Sequence, residues 1–349
     1  MQSIYNLSED DFKLYLNNLG EKPFRAKQIM EWVYRHKIQS FDEMTNVKKT
    51  FIEELKCDFT LDLLEVVTHQ VSSDGTQKFL FRLSDGNLIE SVLMNNEYGY
   101  SICVTTQVGC NMGCVFCASG MKKKLRNLET AEIVMQLLTV EKVAGIKITH
   151  VVIMGIGEPF DNYENVTRFM KIINYTLGLE IGARHITVST SGLIPKIYEF
   201  ADFDLQVNLA ISLHAPNNKI RNEIMAVNKS YPIEDLIEAI KYYIDKTNRR
   251  VTIEYILLKD INDSRENANE LADLLHGLNV YVNLIPYNEV IEKPYKRSTK
   301  EAMHAFFDQL KKRRINVQLR REQGGDIDAA CGQLRSKQMK KEEIWLKVE

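Results

Sequence analysis

The sequence predicts an α/β fold: a partial parallel (β/α)6 barrel preceded by a small N-terminal helical and β-hairpin domain. Three observations predict it. From residue 100 onward, short β-rich runs (YSICVTT, HVVIMG, HITVST, VNLAISL, RVTIEYILL, YVNLIPY) alternate with amphipathic stretches such as ETAEIVMQLLTVEKVAG and NDSRENANELADLLHGL. That alternation is the pattern of a parallel sheet with crossover helices, and six units fall short of the eight that close a full barrel. Before residue 95 the pattern is helical and then hairpin-like. Finally, the polar motifs GCNMGC, GIGEP, STSG, SLHAP, KDIND and PYNE each follow the carboxyl end of a predicted strand. That rim is where parallel α/β folds build their sites.

The elements follow in order. SEDDFKLYLNNLG (8–20) spaces its apolar residues as a helix does, with Ser8 as cap and Gly20 as stop, and RAKQIMEWVYRHKI continues the helical pattern. TQKFLFRLSDGNLIESVLM reads as two strands joined by Asp85-Gly86, a hairpin signal. INVQLRR near the end suggests an added edge strand. The divisions expected are an accessory domain over 1–95, a core over 96–326 and a C-terminal segment over 327–349.

Composition narrows the class. The chain has 349 residues and a formal net charge of −2, with apolar and charged fractions of an ordinary globular protein. No apolar run approaches a membrane span, and the start MQSIYNLSEDDFKLYL is too acidic for a signal peptide, so a cytoplasmic protein is expected. In that reducing compartment the six cysteines point to chemistry or packing and not to disulfide staples. Basic clusters at MKKKLR (121–126), YKR (295–297), KKRR (311–314) and RR (320–321) are solvated faces or anion contacts.

VGCNMGCVFCASG (108–120) carries Cys110, Cys114 and Cys117 in one predicted loop. Three thiolates at this spacing can reach three corners of a [4Fe–4S] cube and leave the fourth iron open. The rival is zinc with Cys103 as fourth ligand, but Cys103 lies within the preceding strand, away from any usual zinc spacing. Cys57 reads as inert packing.

CNMGCVFC resembles the signature of radical S-adenosylmethionine (SAM) enzymes. Together with CVTTQVGCNMGCVFCASG, MGIGEPFDN, TVSTSG, ISLHAPN and GGDIDAACGQL, in that order, the chain resembles the RlmN/Cfr adenine methyltransferases over nearly its whole length. The resemblance implies a cluster on Cys110, Cys114 and Cys117 whose open iron is chelated by SAM. It places Phe116 beside the cofactor's adenine and Gly157 and Glu158 at its methionine end. Ser189, Ser212, Leu213, His214 and Asn288 complete the pocket. It further implies that Cys331 takes a methyl group from one SAM molecule by displacement. A second SAM molecule, cleaved by one electron, gives a radical that abstracts hydrogen from that methyl, so two are consumed per methylation. The methylene radical adds to the ring, a base removes the ring proton, and Cys103 attacks the sulfur of Cys331 to release the product. Glu90, between the apolar strand positions Leu88 and Val92, matches the proton acceptor, with Cys103 a rival for that step.

Folded RNA as substrate gives the basic clusters flanking the cluster loop and Cys331 a purpose. Pro159 after Glu158 matches the RlmN branch, which methylates carbon 2, where Cfr-type chains, which methylate carbon 8 and confer antibiotic resistance, carry alanine. The expected substrates are 23S ribosomal RNA and the adenosine next to the anticodon of transfer RNA. A low-potential electron donor such as flavodoxin or ferredoxin, no membrane and a monomer complete the expectation. Phe160 and Glu289 depart from the usual leucine and proline. A zinc-stabilised RNA-binding protein without catalysis is the remaining alternative.

Overall fold

The structure, a computed structural model, describes residues 1–121, 123–329 and 332–338. Helix Glu9–Asn18 begins where Ser8 accepts from the Asp11 amide while the Asp11 carboxylate accepts from the Ser8 amide, a reciprocal cap. It ends before Gly20, whose φ of +70° suits glycine. The expected second helix runs as Arg25–Met30 and widens into a π-type turn over Glu31–Arg35, so its buried face continues through Val33 and Tyr34. These residues pack with Phe12, Phe51, Leu55 and Phe59 into a dry apolar module. Cys57 is exposed and so is not packing.

A ten-stranded sheet organises the rest. Strand Gln77–Arg82 pairs antiparallel with Leu88–Asn96 across the expected hairpin, whose loop is closed by Leu83 N to Asn87 O (2.8 Å) with Gly86 at φ +81°. A third strand, Glu65–Val71, was not anticipated; it pairs antiparallel with Gln77–Arg82 and lies at the sheet edge. The hairpin is not separate from the core. Leu88–Asn96 pairs antiparallel with Gly99–Cys103, so the sheet passes the division expected at residue 95 without a break. The reason is a turn of only two residues, 97–98, too short to lead the chain to another layer.

From Gly99–Cys103 onward every pairing within this sheet is parallel, through Ile148–Ile153, Ile186–Thr190, Asn208–Ser212, Val251–Leu257 and Val280–Pro286 to the short edge strand Val317–Leu319. Helices Thr130–Ala144, Tyr163–Asn174, Ile194–Phe200, Ile233–Thr247, Arg265–Leu274 and Lys300–Lys312 make the six crossovers. The sheet ends on different strands at its two edges and is an open, partial barrel. Among the described residues no helix is long and apolar enough to cross a membrane.

Candidate active site

The three-cysteine loop leaves the carboxyl end of Gly99–Cys103 and returns through a short pairing of Gln107–Val108 with Arg126–Asn127. Its turns need glycine: Gly109 and Gly113 have φ of +86° and +67°. The neighbouring rim holds it. Val115 N donates to Ile224 O (3.1 Å) and Tyr287 Oη to Phe116 O (3.1 Å). Asp161 accepts from Gln107 Nε2 (2.9 Å) and Lys124 Nζ (2.6 Å), and Asn162 donates to the carbonyls of Thr106 and Leu128. The FDN of MGIGEPFDN is therefore the foundation of the cysteine loop. Phe160, in place of the usual leucine, fills the space behind it against Phe200 and Tyr163.

The second loop places Gly157 at φ +114°, where a Cβ would come within 2.8 Å of Thr106 and Gln107. Glu158, 2% exposed, accepts from Phe160 N (3.0 Å) and Ser191 N (2.7 Å), so its carboxylate ties GIGEP to STSG. Burial raises its pKa, and these amide contacts oppose the rise. Ser189 and Ser212 face each other at 3.3 Å. Leu213 is fully buried. His214, at φ +57°, accepts the Ile256 amide on Nδ1 (3.1 Å), which fixes the proton on Nε2. Burial first, and then the Arg221 charge, push its pKa down to about 3, so the ring is neutral and meets Phe116 edge-on at 5.3 Å.

A cavity of about 260 Å³ lies at the mouth of the sheet, and Cys103, Phe116, Cys117 and Asn288 share its wall with Ala329. Val92 pairs with Cys103, so Glu90 and Cys103 are on one face of the sheet. Glu90 is buried. It accepts from Lys78 Nζ (2.6 Å), from Arg335 N (3.1 Å) and from Gly332 N. Glu289, in place of the usual proline, accepts from Lys296 Nζ and Arg297 N and closes its own loop. Cys331 lies outside the described residues. The stretches on either side of it are anchored: Asp326 accepts from Ser72 and Ser73, Asp74 from Gly324 N, and Gln70 exchanges two bonds with Asp328. Polar side chains from the strand Glu65–Val71 and the turn after it hold Gly324, Asp326 and Asp328.

Comparison with known proteins decides the family. Residues 104–274 match the Radical SAM superfamily, and residues 2–61 match the ribosomal RNA large subunit methyltransferase N-terminal domain. A probable dual-specificity RNA methyltransferase RlmN of Listeria monocytogenes is 58% identical, over 97% of this chain and 95% of the relative. The chain belongs to the RlmN family. Another RlmN, from Acholeplasma laidlawii, is 56% identical over 96% of this chain and 99% of its own. A radical SAM methyltransferase of Sphaerobacter thermophilus has the same fold, with a TM-score of 0.90 and 43% identity over 95% of this chain and 99% of that one. As an RlmN-type enzyme this is a radical SAM RNA methyltransferase, and its superfamily implies an iron–sulfur cluster and SAM.

The residues present fit the cluster. Burial pushes the Cys110 thiol up to about 11 and the Cys114 thiol further, so both become thiolates at neutral pH only when a metal cation binds them. Three thiols in one loop give three irons of a cube one ligand each and leave the fourth open, whereas a structural zinc site takes four ligands. Sequence reasoning missed Asp161 and Asn162, whose motif was read for the cofactor, and Lys78 and Arg221, for which nothing local signals a role.

Proposed function

We propose that this enzyme methylates carbon 2 of an adenosine in 23S ribosomal RNA and of the adenosine next to the anticodon in transfer RNA, through a methylated Cys331. The observation that carries the reading is the shared cavity: Cys103, the cluster-loop residues Phe116 and Cys117, and Asn288 face one space beside Ala329, two residues before Cys331. A carrier thiol, a resolving thiol and a radical source must meet in such a space.

A [4Fe–4S] cluster on Cys110, Cys114 and Cys117 would supply the electron that cleaves SAM. The chain's residues do the rest. Backbone at Gly157 and Glu158 meets the methionine end, because the Glu158 carboxylate is committed to loop amides. Ser189, Ser212, Leu213, His214 and Asn288 line the remainder, and neutral His214 offers Nε2–H as a donor. Cys331 thiolate receives the first methyl; Glu90 accepts the ring proton; Cys103 thiolate attacks the sulfur of Cys331, whose bond to the adenine-bound carbon breaks and leaves the methylated product, and the disulfide formed is reduced afterwards. Two SAM molecules are consumed per methyl transferred.

Pro159 supports carbon 2 over the carbon-8 alternative, and the name dual-specificity RNA methyltransferase carried by the Listeria relative supports two RNA classes. The N-terminal helices, over 1–61, form an accessory RNA-binding part; the antiparallel strands from Glu65 to Asn96 belong with the core sheet, and 327–349 is the carrier segment. Flavodoxin or ferredoxin as electron donor, a monomeric state and a cytoplasmic location complete the proposal. Mass spectrometry of ribosomal and transfer RNA from cells with and without the gene tests it. The expected result is 2-methyladenosine lost from both RNAs; loss of 8-methyladenosine instead would assign the other branch.

A further inference from the structure

Arg221 is among the largest side chains buried completely, at 0% exposure. It stands on the short helix Asn218–Ile224, below the cysteine loop. Its guanidinium is satisfied by neutral oxygens: Nε donates to Leu213 O (3.1 Å), one terminal nitrogen to Asn228 Oδ1 (2.8 Å) and Tyr231 O (3.3 Å), the other to Ser191 O (2.6 Å) and Ser212 O (3.4 Å). Among the described residues no carboxylate forms an ion pair with it. Burying a cation is costly unless a negative charge compensates.

The compensating charge belongs to the site above. The helix carrying Arg221 accepts the Val115 amide at Ile224, and Gly113 packs toward Ala226. A [4Fe–4S] cube of charge +2 on three thiolates carries a net −1, and −2 once reduced. A fixed cation favours the more negative state.

We propose that Arg221 sets the reduction potential of the cluster, acting as a buried counter-charge that stabilises the reduced form without touching iron or SAM. The proposal rests on the cluster reading and explains why a guanidinium, in place of a neutral linker, joins three loops of the rim. Its five donors let it do both tasks: the fork fixes the loops and leaves the charge buried beside the cysteine loop.

The test is a potentiometric titration of the reconstituted enzyme, read by electron paramagnetic resonance of the reduced cluster. Three variants separate charge from fold: Arg221→Gln, Arg221→Lys and Asn228→Asp, the last placing a carboxylate 2.8 Å from the guanidinium and cancelling its field with the fork intact. Arg221→Gln and Asn228→Asp are expected to show about a tenfold lower ratio of reduced to oxidised cluster at the wild-type midpoint, a shift of about 59 mV to more negative potential. Arg221→Lys keeps the charge and is expected to shift less. If Arg221→Gln loses its cluster, Asn228→Asp decides alone. An unchanged midpoint in Asn228→Asp, with iron and sulfide retained, would overturn the proposal. A wild-type protein that binds zinc and no iron would instead overturn the function on which it rests.

Discussion

Replacing Lys78 by methionine tests how the carrier segment is held. Lys78 and Glu90 are 1% and 3% exposed on adjacent antiparallel strands, and their 2.6 Å contact is a buried ion pair. Removing the ammonium leaves a buried carboxylate whose remaining contacts include the amides of Gly332 and Arg335. Breaking such a pair from one side costs about 3–5 kcal/mol; two retained amide bonds bring the expectation to the lower end, about 3 kcal/mol. Glu90→Gln presents one acceptor oxygen where two amides need it, so it costs about 1–3 kcal/mol, spent locally. The double variant strands no charge and is expected to recover about half the Lys78→Met loss, an interaction energy of opposite sign to simple addition. Urea unfolding gives the energies, and hydrogen exchange at residues 332–338 reports local undocking. Both single variants should raise exchange there before the sheet core opens. A Lys78→Met loss under 1 kcal/mol, with protected 332–338 amides, would refute the reasoning.

Three further outcomes are expected. Cys103→Ala should begin the reaction and stall, accumulating a denaturation-resistant protein–RNA adduct on gels; normal turnover would remove Cys103 from the release step. Glu158→Gln loses one of two amide partners and should weaken SAM binding by about tenfold in equilibrium dialysis, because the GIGEP and STSG loops come apart by an amide worth about 1–3 kcal/mol. Burial pushes the Glu254 carboxyl up to about 7 against Arg320 and Asn283. Its native form therefore binds a proton more tightly than the unfolded chain, so stability present below about pH 4.5 is lost as pH rises through about 7. Glu254→Gln should remove that slope and stabilise the protein at pH 8 by roughly 3 kcal/mol at most; an unchanged unfolding profile over pH 5–8 would contradict it.

The barrel was legible because each parallel strand is a short continuous apolar run between amphipathic helices, and the Cys110–Cys114–Cys117 spacing leaves few chemical readings. Strand Glu65–Val71 was not, because its side chains are exposed or half-buried and EVVTHQV lacks the alternation of an inward face. Lys78 is one polar position in an alternating strand, and only the tertiary position of Glu90, 12 residues on, makes it a buried partner. Nothing in the sequence around Arg221 marks it as buried either. A charge buried by distant loops leaves no local mark.

Continuity of the antiparallel and parallel strands changes what the meander is for. Viewed as an accessory domain it would only recruit RNA. Yet its turn, residues 72–76, holds Gly324 and Asp326 through Asp74, Ser72 and Ser73, and its strands hold Asp328 through Gln70 and the Gly332 and Arg335 amides through Glu90. Leu334 adds an apolar contact with Leu80 and Leu88. Every one of these anchors precedes residue 95, and every partner belongs to the stretches bracketing Cys331. The same sheet continues into the strand of Cys103, so a rigid set of backbone hydrogen bonds relates the supports of the segment bracketing Cys331 to the thiol proposed to release the product. A mobile accessory domain could not keep that relation, since domain motion is the expectation wherever an interface is small. On the proposed mechanism the antiparallel strands are therefore part of the catalytic frame: they fix the distance over which the segment bracketing Cys331 would deliver its methyl group.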